Sequence, residues 1–153
     1  MKKVLLLADD DIDDRELFCE ALQSIDPSIV CHVAPDGKEV FRILSNDELE
    51  KPRLIFLDIN MPGMDGWQCL SHLKQKSEHK DIPVLIYSTS SNQKDANTAI
   101  ELGAMCFFAK PHSFSELKSI LKVMVDNLDN KLLDAISHFN HIKSKKIFSC
   151  SGD

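Results

Sequence analysis

Cations are in short supply in this chain. Eighteen Lys and Arg stand against 24 Asp and Glu, a formal net charge of -6. Binding to a nucleic-acid backbone needs clustered cations, so a nucleic-acid partner is not expected. The one basic cluster, Lys143, Lys145 and Lys146, is short enough to be a solvated end. Long apolar runs are missing as well. None approaches the length of a membrane span. The N-terminal run, Val4 to Ala8, is shorter than a signal-peptide core and stops at three aspartates. These absences predict a cytoplasmic protein with no membrane partner. The five cysteines, Cys19, Cys31, Cys69, Cys106 and Cys150, are odd in number and include no C-x-x-C pair. A zinc site or disulfide framework would call for closer pairing, and reduced thiols are expected. Internal repeats and low-complexity linkers are absent too.

What remains is ordinary globular material. With 153 residues, 43% hydrophobic and 27% charged, the chain fits one domain with a short appendage. It is long enough to build a core without staples. Five short apolar runs, Val4–Ala8, Ile29–Ala34, Leu54–Leu57, Pro83–Tyr87 and Met105–Ala109, read as strands buried on both faces. Helical patterns follow each run. Leu17, Phe18, Ala21, Leu22 and Ile25 share one face, as do Val40, Phe41 and Leu44. Trp67, Leu70 and Leu73 follow a turn marked by Pro62 and Gly66, and Trp67 reads as a packing anchor. Ala96, Ala99 and Ile100 end at Gly103, a C-terminal stop. Leu117, Leu121, Met124 and Leu128 follow an N-cap at Ser113 or Ser115.

Strand and helix alternating five times argue for an α/β fold, a doubly wound five-stranded parallel sheet. The simplest strand order is 2-1-3-4-5, which places functional groups at the carboxyl ends of the strands, near the junction of strands 1 and 3. Residues 1–128 account for this plan. Residues 129–153 form a C-terminal extension. Leu132, Ile136 and Phe139 keep helical spacing there, and Lys143–Asp153 is polar and expected to fray. His138 and His141 read as a solvated face. The apolar stripe of this extension would support a homodimer, or pack back on the domain.

The strand ends carry the chemistry. Strand 1 runs into Asp9, Asp10 and Asp11, and strand 3 into Asp58. Two like charges about 5 Å apart repel by roughly 3 kcal/mol at an effective dielectric of 20. Convergent carboxylates therefore raise a pKa or hold a cation, and a hard oxygen set suits Mg²⁺. Strand 4 ends in Ser88, Thr89, Ser90 and Ser91, and strand 5 in Lys110–Pro111. Acid, acid, hydroxyl and ammonium thus meet at one predicted sheet edge. Asp13 and Asp14 open the first helix, where its dipole suits them.

In these residues the chain resembles the receiver domain of two-component response regulators, over roughly residues 2–128. The matching positions are the acidic pair Asp9 and Asp10; Asp58 with the turn residues Met61, Pro62, Asp65 and Gly66; Ser88; and Lys110–Pro111. The long loop Ser45–Arg53 and the C-terminal extension are similar to stand-alone regulators of the cyanobacterial phytochrome type. The resemblance implies a flavodoxin-like receiver fold and a single-domain phosphoacceptor protein rather than an enzyme, one that assists its own phosphotransfer and dephosphorylation. Asp58 would take a phosphoryl group from a histidine kinase or phosphotransfer protein. Asp9, Asp10, Asp58 and the backbone carbonyl of Asn60 would bind Mg²⁺. Lys110 would pair with Asp58 and then with the phosphoryl group, and Ser88 would bond a phosphoryl oxygen. Phe107 stands at the family's aromatic switch position, where tyrosine is commoner. The Lys110–Pro111 bond is implied to be cis. Output would run through a downstream protein target. The alternative is a pseudo-receiver that binds partners without phosphate. An aspartyl-phosphate hydrolase would want an acid where Asn60 stands. A flavodoxin-type phosphate loop would be repelled by Asp9–Asp11.

Overall fold

The computed structural model describes residues 2–128, 131–142 and 148–150, with no account of the side chains of 141, 142 and 148. Lys143, Lys145 and Lys146 lie outside the described residues, as does the side chain of His141. Twelve elements follow in order: β1 Val4–Ala8, α1 Ile12–Ile25, β2 Val30–Ala34, α2 Gly37–Leu44, β3 Leu54–Leu57, α3 Gly66–Gln75, β4 Val84–Ser88, α4 Gln93–Glu101, β5 Cys106–Ala109, α5 Phe114–Val125, α6 Leu132–Ile142 and β6 Phe148–Cys150. The sheet order is β2-β1-β3-β4-β5-β6. The first five strands pair in parallel, in the expected order, with Leu5 beside both Cys31 and Leu54.

Period-two alternation divides the strand residues between two helical layers. Leu5, Leu7, Phe56, Tyr87 and Phe108 face α1, α5 and α6. Leu6, Ala8, Ile55, Ile86 and Phe107 face α2, α3 and α4. The aromatic stack Phe18–Phe56–Phe108 packs edge to face in the first layer, with centroids 4.9 and 6.2 Å apart. Edge strand β2 is half-covered, and its Val33 is exposed. Strand β4 begins at Val84 rather than Pro83, which has no N–H to give to the ladder.

Helix ends follow the local chemistry. Asp11 caps α1 by accepting from the amides of Asp13 and Asp14. Asp65 and Gln68 make a reciprocal capping box on α3. Ser113 rather than Ser115 caps α5, accepting from the Glu116 amide at 3.1 Å. Gly103 ends α4 with a φ of 103°, in the left-handed region that glycine alone enters cheaply. Trp67 is half-buried against the α2–α4 layer, a packing role as expected.

The extension departs from expectation in three ways. The stretch expected to fray contains β6, which pairs antiparallel with β5, Cys106 opposite Cys150 and Phe107 opposite Ser149. The thiols expected to be reduced include a Cys106–Cys150 disulfide. These cysteines are 44 residues apart in sequence, so their pairing is visible once β6 lies beside β5 and not before. Third, α6 folds back on the domain: Leu132, Ile136 and Phe139 are buried with Ile120 and Met124 of α5. Each such side chain contributes about 1.5–3 kcal/mol by leaving water. The stripe that motivated a homodimer is thus covered within the chain. No peptide bond among the described residues is cis, so Lys110–Pro111 is trans, contrary to what the resemblance implied.

Candidate functional site

The carboxyl ends of β1, β3, β4 and β5 converge on a buried cation. Backbone bonds set the frame. The Asp58 amide donates to the Ala8 carbonyl at 2.9 Å, which aligns the ends of β1 and β3. The Lys110 amide donates to the Ser88 carbonyl at 2.6 Å and aligns β5 with β4. Gly66 closes the turn beneath Asp58: a Cβ there would stand 2.2 Å from the Asp58 carbonyl oxygen, so no other residue fits without moving the backbone. Its amide bonds the Ile59 carbonyl at 2.8 Å.

Within this frame Lys110 donates to Asp9 at 2.6 Å, to Asp14 at 2.8 Å and to Asp58 at 3.4 Å. Its side chain is 9% exposed, and those of Asp9 and Asp58 are 0% and 8%. Its ammonium also lies 5.2 Å from the centre of the Tyr87 ring. Carboxylate oxygens of Asp9, Asp10 and Asp58 all fall within 4.8 Å of one another, Asp10 being the exposed member. Ser88 is fully buried, and its hydroxyl accepts from the Ser90 amide at 3.1 Å. Asn60 is exposed, two residues beyond Asp58.

The electrostatics are unbalanced. Burial, opposed by Lys110 and reinforced by Asp9, pushes the Asp58 carboxyl up to about 6. Burial works against the Lys110 charge, but bonds from Asp14 and Asp9 outweigh it and raise its pKa. Burial also raises the Tyr87 phenol. Four carboxylates and one ammonium leave the cluster short of positive charge, while the Asp58 shift comes first from burial. An all-oxygen donor set with surplus negative charge fits a hard divalent cation.

A model of the response regulator receiver domain matches residues 5–122. The chain belongs to that family. This receiver is 31% identical over 141 residues to response regulator Rcp1 of Synechocystis sp., covering 88% of this chain and 92% of Rcp1. The Mn²⁺-bound crystal form of Rcp1 superposes with a TM-score of 0.72 at 28% identity, over 84% of this chain and 96% of that one. The phosphorylated cyanobacterial phytochrome response regulator RcpA superposes with a TM-score of 0.73 at 31% identity, covering 80% and 90%. The probable transcriptional regulator ycf27 of Cyanophora paradoxa is 32% identical over 136 residues, 89% of this chain but 54% of that protein. The receiver thus spans about half the length of that relative. No helix among the described residues is long and apolar enough to cross a membrane.

Of the positions singled out in the sequence, Asp9, Asp10, Asp58 and Lys110 come together in one cluster, and Ser88 joins it through the β4–β5 ladder. Phe107 is separate. It faces the α4 layer, buried beside a cavity of about 160 Å³ that Asn92, Ala96, Ala109 and Ser149 also line. Asp14 was missed. A helix-opening aspartate needs no further explanation, yet this one holds Lys110. The signal was its spacing: one turn into α1, it points back toward the end of β1. Arg15, beside it, donates to the Asp9 carbonyl at 2.7 Å.

Proposed function

We propose that this receiver works as a single-domain response regulator, with residues 1–128 as the phosphoacceptor unit and 129–153 as an appended segment. Asp58 attacks the phosphorus of a phosphohistidine on a histidine kinase or phosphotransfer protein. The Oδ–P bond forms, the N–P bond breaks, and the histidine leaves with a proton. Burial of Asp58 beside Lys110, among carboxylates that lack enough cation, carries this reading. Asp9, Asp10, Asp58 and the Asn60 carbonyl would hold Mg²⁺, which would offset charge on the transferring oxygens. Lys110 moves its hydrogen bonds toward the phosphoryl group. Ser88, whose hydroxyl accepts from the Ser90 amide and keeps its own proton to give, donates to a phosphoryl oxygen; this draws the loop after β4 inward, and Phe107 turns into the space that is vacated. The signal passes to a protein target in the cytoplasm. A homodimer would use a surface other than the α6 stripe.

Intact mass after incubation with acetyl phosphate tests this. One phosphoryl adduct that requires Mg²⁺ and is lost in Asp58→Asn is the expected result. No adduct, at donor levels that label another receiver in parallel, would overturn it in favour of a pseudo-receiver that binds partners without phosphate.

A further inference from the structure

We propose that Cys106 and Cys150 form a thiol–disulfide latch that holds β6 across the outer edge of β5, closing that edge and the Phe107 cavity to other chains. Without β6, β5 would be the last strand of the sheet, with a row of unpaired amides and carbonyls open to pairing. Strand β6 covers that row with three residues, the short end of the usual range, so it has few ladder bonds. Two other features hold it. The disulfide joins residues opposed in the ladder, and Cys150 is buried with Cys106, Ile136 and Phe139 under α6. The strand also reaches the cavity, because Ser149, opposite Phe107, forms part of its wall. Helix α6 has its own apolar anchors in Leu132, Ile136 and Phe139, so opening the bond leaves α6 in place and loosens β6, whose burial under α6 then remains as a restraint beside the ladder.

The chemistry needs a low-molecular-weight disulfide as oxidant. With the latch open, the Cys150 thiolate attacks oxidised glutathione, forming a mixed disulfide and expelling one glutathione. The Cys106 thiolate displaces the second. Two electrons pass from the cysteine pair to glutathione disulfide, and the two thiol protons end on the two glutathiones released. Excess reduced glutathione runs the sequence backward. A disulfide subject to such exchange in a reducing compartment is usually a sensor rather than a staple.

The full chain, equilibrated in glutathione buffers of graded ratio and then alkylated, provides the test, with no need for phosphorylation. In oxidised buffer, peptide mass is expected to show Cys106 linked to Cys150. On reduction, hydrogen exchange in residues 148–150 should speed up by about tenfold or more, while β3 stays unchanged. Cys150→Ser should show the fast exchange in both buffers, and Cys106→Ser should do the same. A Cys19–Cys31 link formed in place of Cys106–Cys150 would overturn the latch. So would equal protection of β6 in oxidised and reduced protein.

Discussion

The carboxyl end and the outer edge of β5 are secured by opposite means. At its carboxyl end, Lys110 lies among Asp9, Asp14 and Asp58, and the cluster holds more negative charge than the lysine can balance. Along its outer edge, a disulfide and the apolar side chains of α6 hold a short strand in place. The first region is electrostatically frustrated, so its stability depends on protons and cations. The second is held by a covalent bond and by apolar burial, which neither protons nor cations greatly affect. The difference separates a region that answers to protons and cations from one that answers to thiol exchange.

Removing Lys110 should have the largest effect. Lys110→Ala leaves buried carboxylates unpaired, and the Mg²⁺-free protein should lose about 3–5 kcal/mol at neutral pH. Urea unfolding with and without Mg²⁺ checks this, with part of the loss expected back when the cation is present. If Lys110→Ala unfolds like the parent, the cluster is not frustrated.

Next comes pH. The folded Asp58 carboxyl titrates at about 6, against 3.8 for the ordinary group. The folded state therefore binds this proton more tightly than the unfolded chain. The stability it contributes is full below pH 4 and is lost as pH rises through 6, amounting to up to about 3 kcal/mol. In chelator, a stability profile from pH 4 to 7 should fall more steeply in the parent than in Asp58→Asn. Identical slopes would count against a strained Asp58.

On the covered flank, Ile136→Ala removes a fully buried side chain and should cost about 2–3 kcal/mol. Its loss should be the same at pH 5 and pH 7 and with or without Mg²⁺, and acetyl phosphate labelling should be unchanged. A Mg²⁺-dependent loss would show that the two regions are coupled. The smallest change is Asp14→Asn. Asp14 is about one-third exposed, so solvent screens its bond with Lys110, and the expected cost is about 1 kcal/mol. Thermal melts in low and high salt check it, with the difference narrowing as salt rises.

Much of this architecture was legible before any coordinates. Strands β1 and β3 lie where their apolar runs begin and end, and β4 is offset by one residue, with Pro83, which has no N–H to give, accepting at its carbonyl from the Ile55 amide just before the strand. The acids, hydroxyl and ammonium stood out because each followed a strand, and parallel strands put such positions on one edge. Strand β6 was not legible. Three residues in a polar, Ser-rich tail carry no period, and they become a strand because β5 offers them an edge.

The order of elements, the two-layer plan and the chemical types at the strand ends are thus determined by the sequence itself. They depend on local periodicity, on caps and on the right-handed crossover, all of which act within a few tens of residues. Which carboxylates hold Lys110 was decided by tertiary structure, since Asp14 is 96 residues away from it. So was the pairing of Cys106 with Cys150, across 44 residues. Contacts at such separations carry no local signature. They exist because the sheet brings β1, β5 and β6 to within bonding distance, where short-range forces select among the neighbours present.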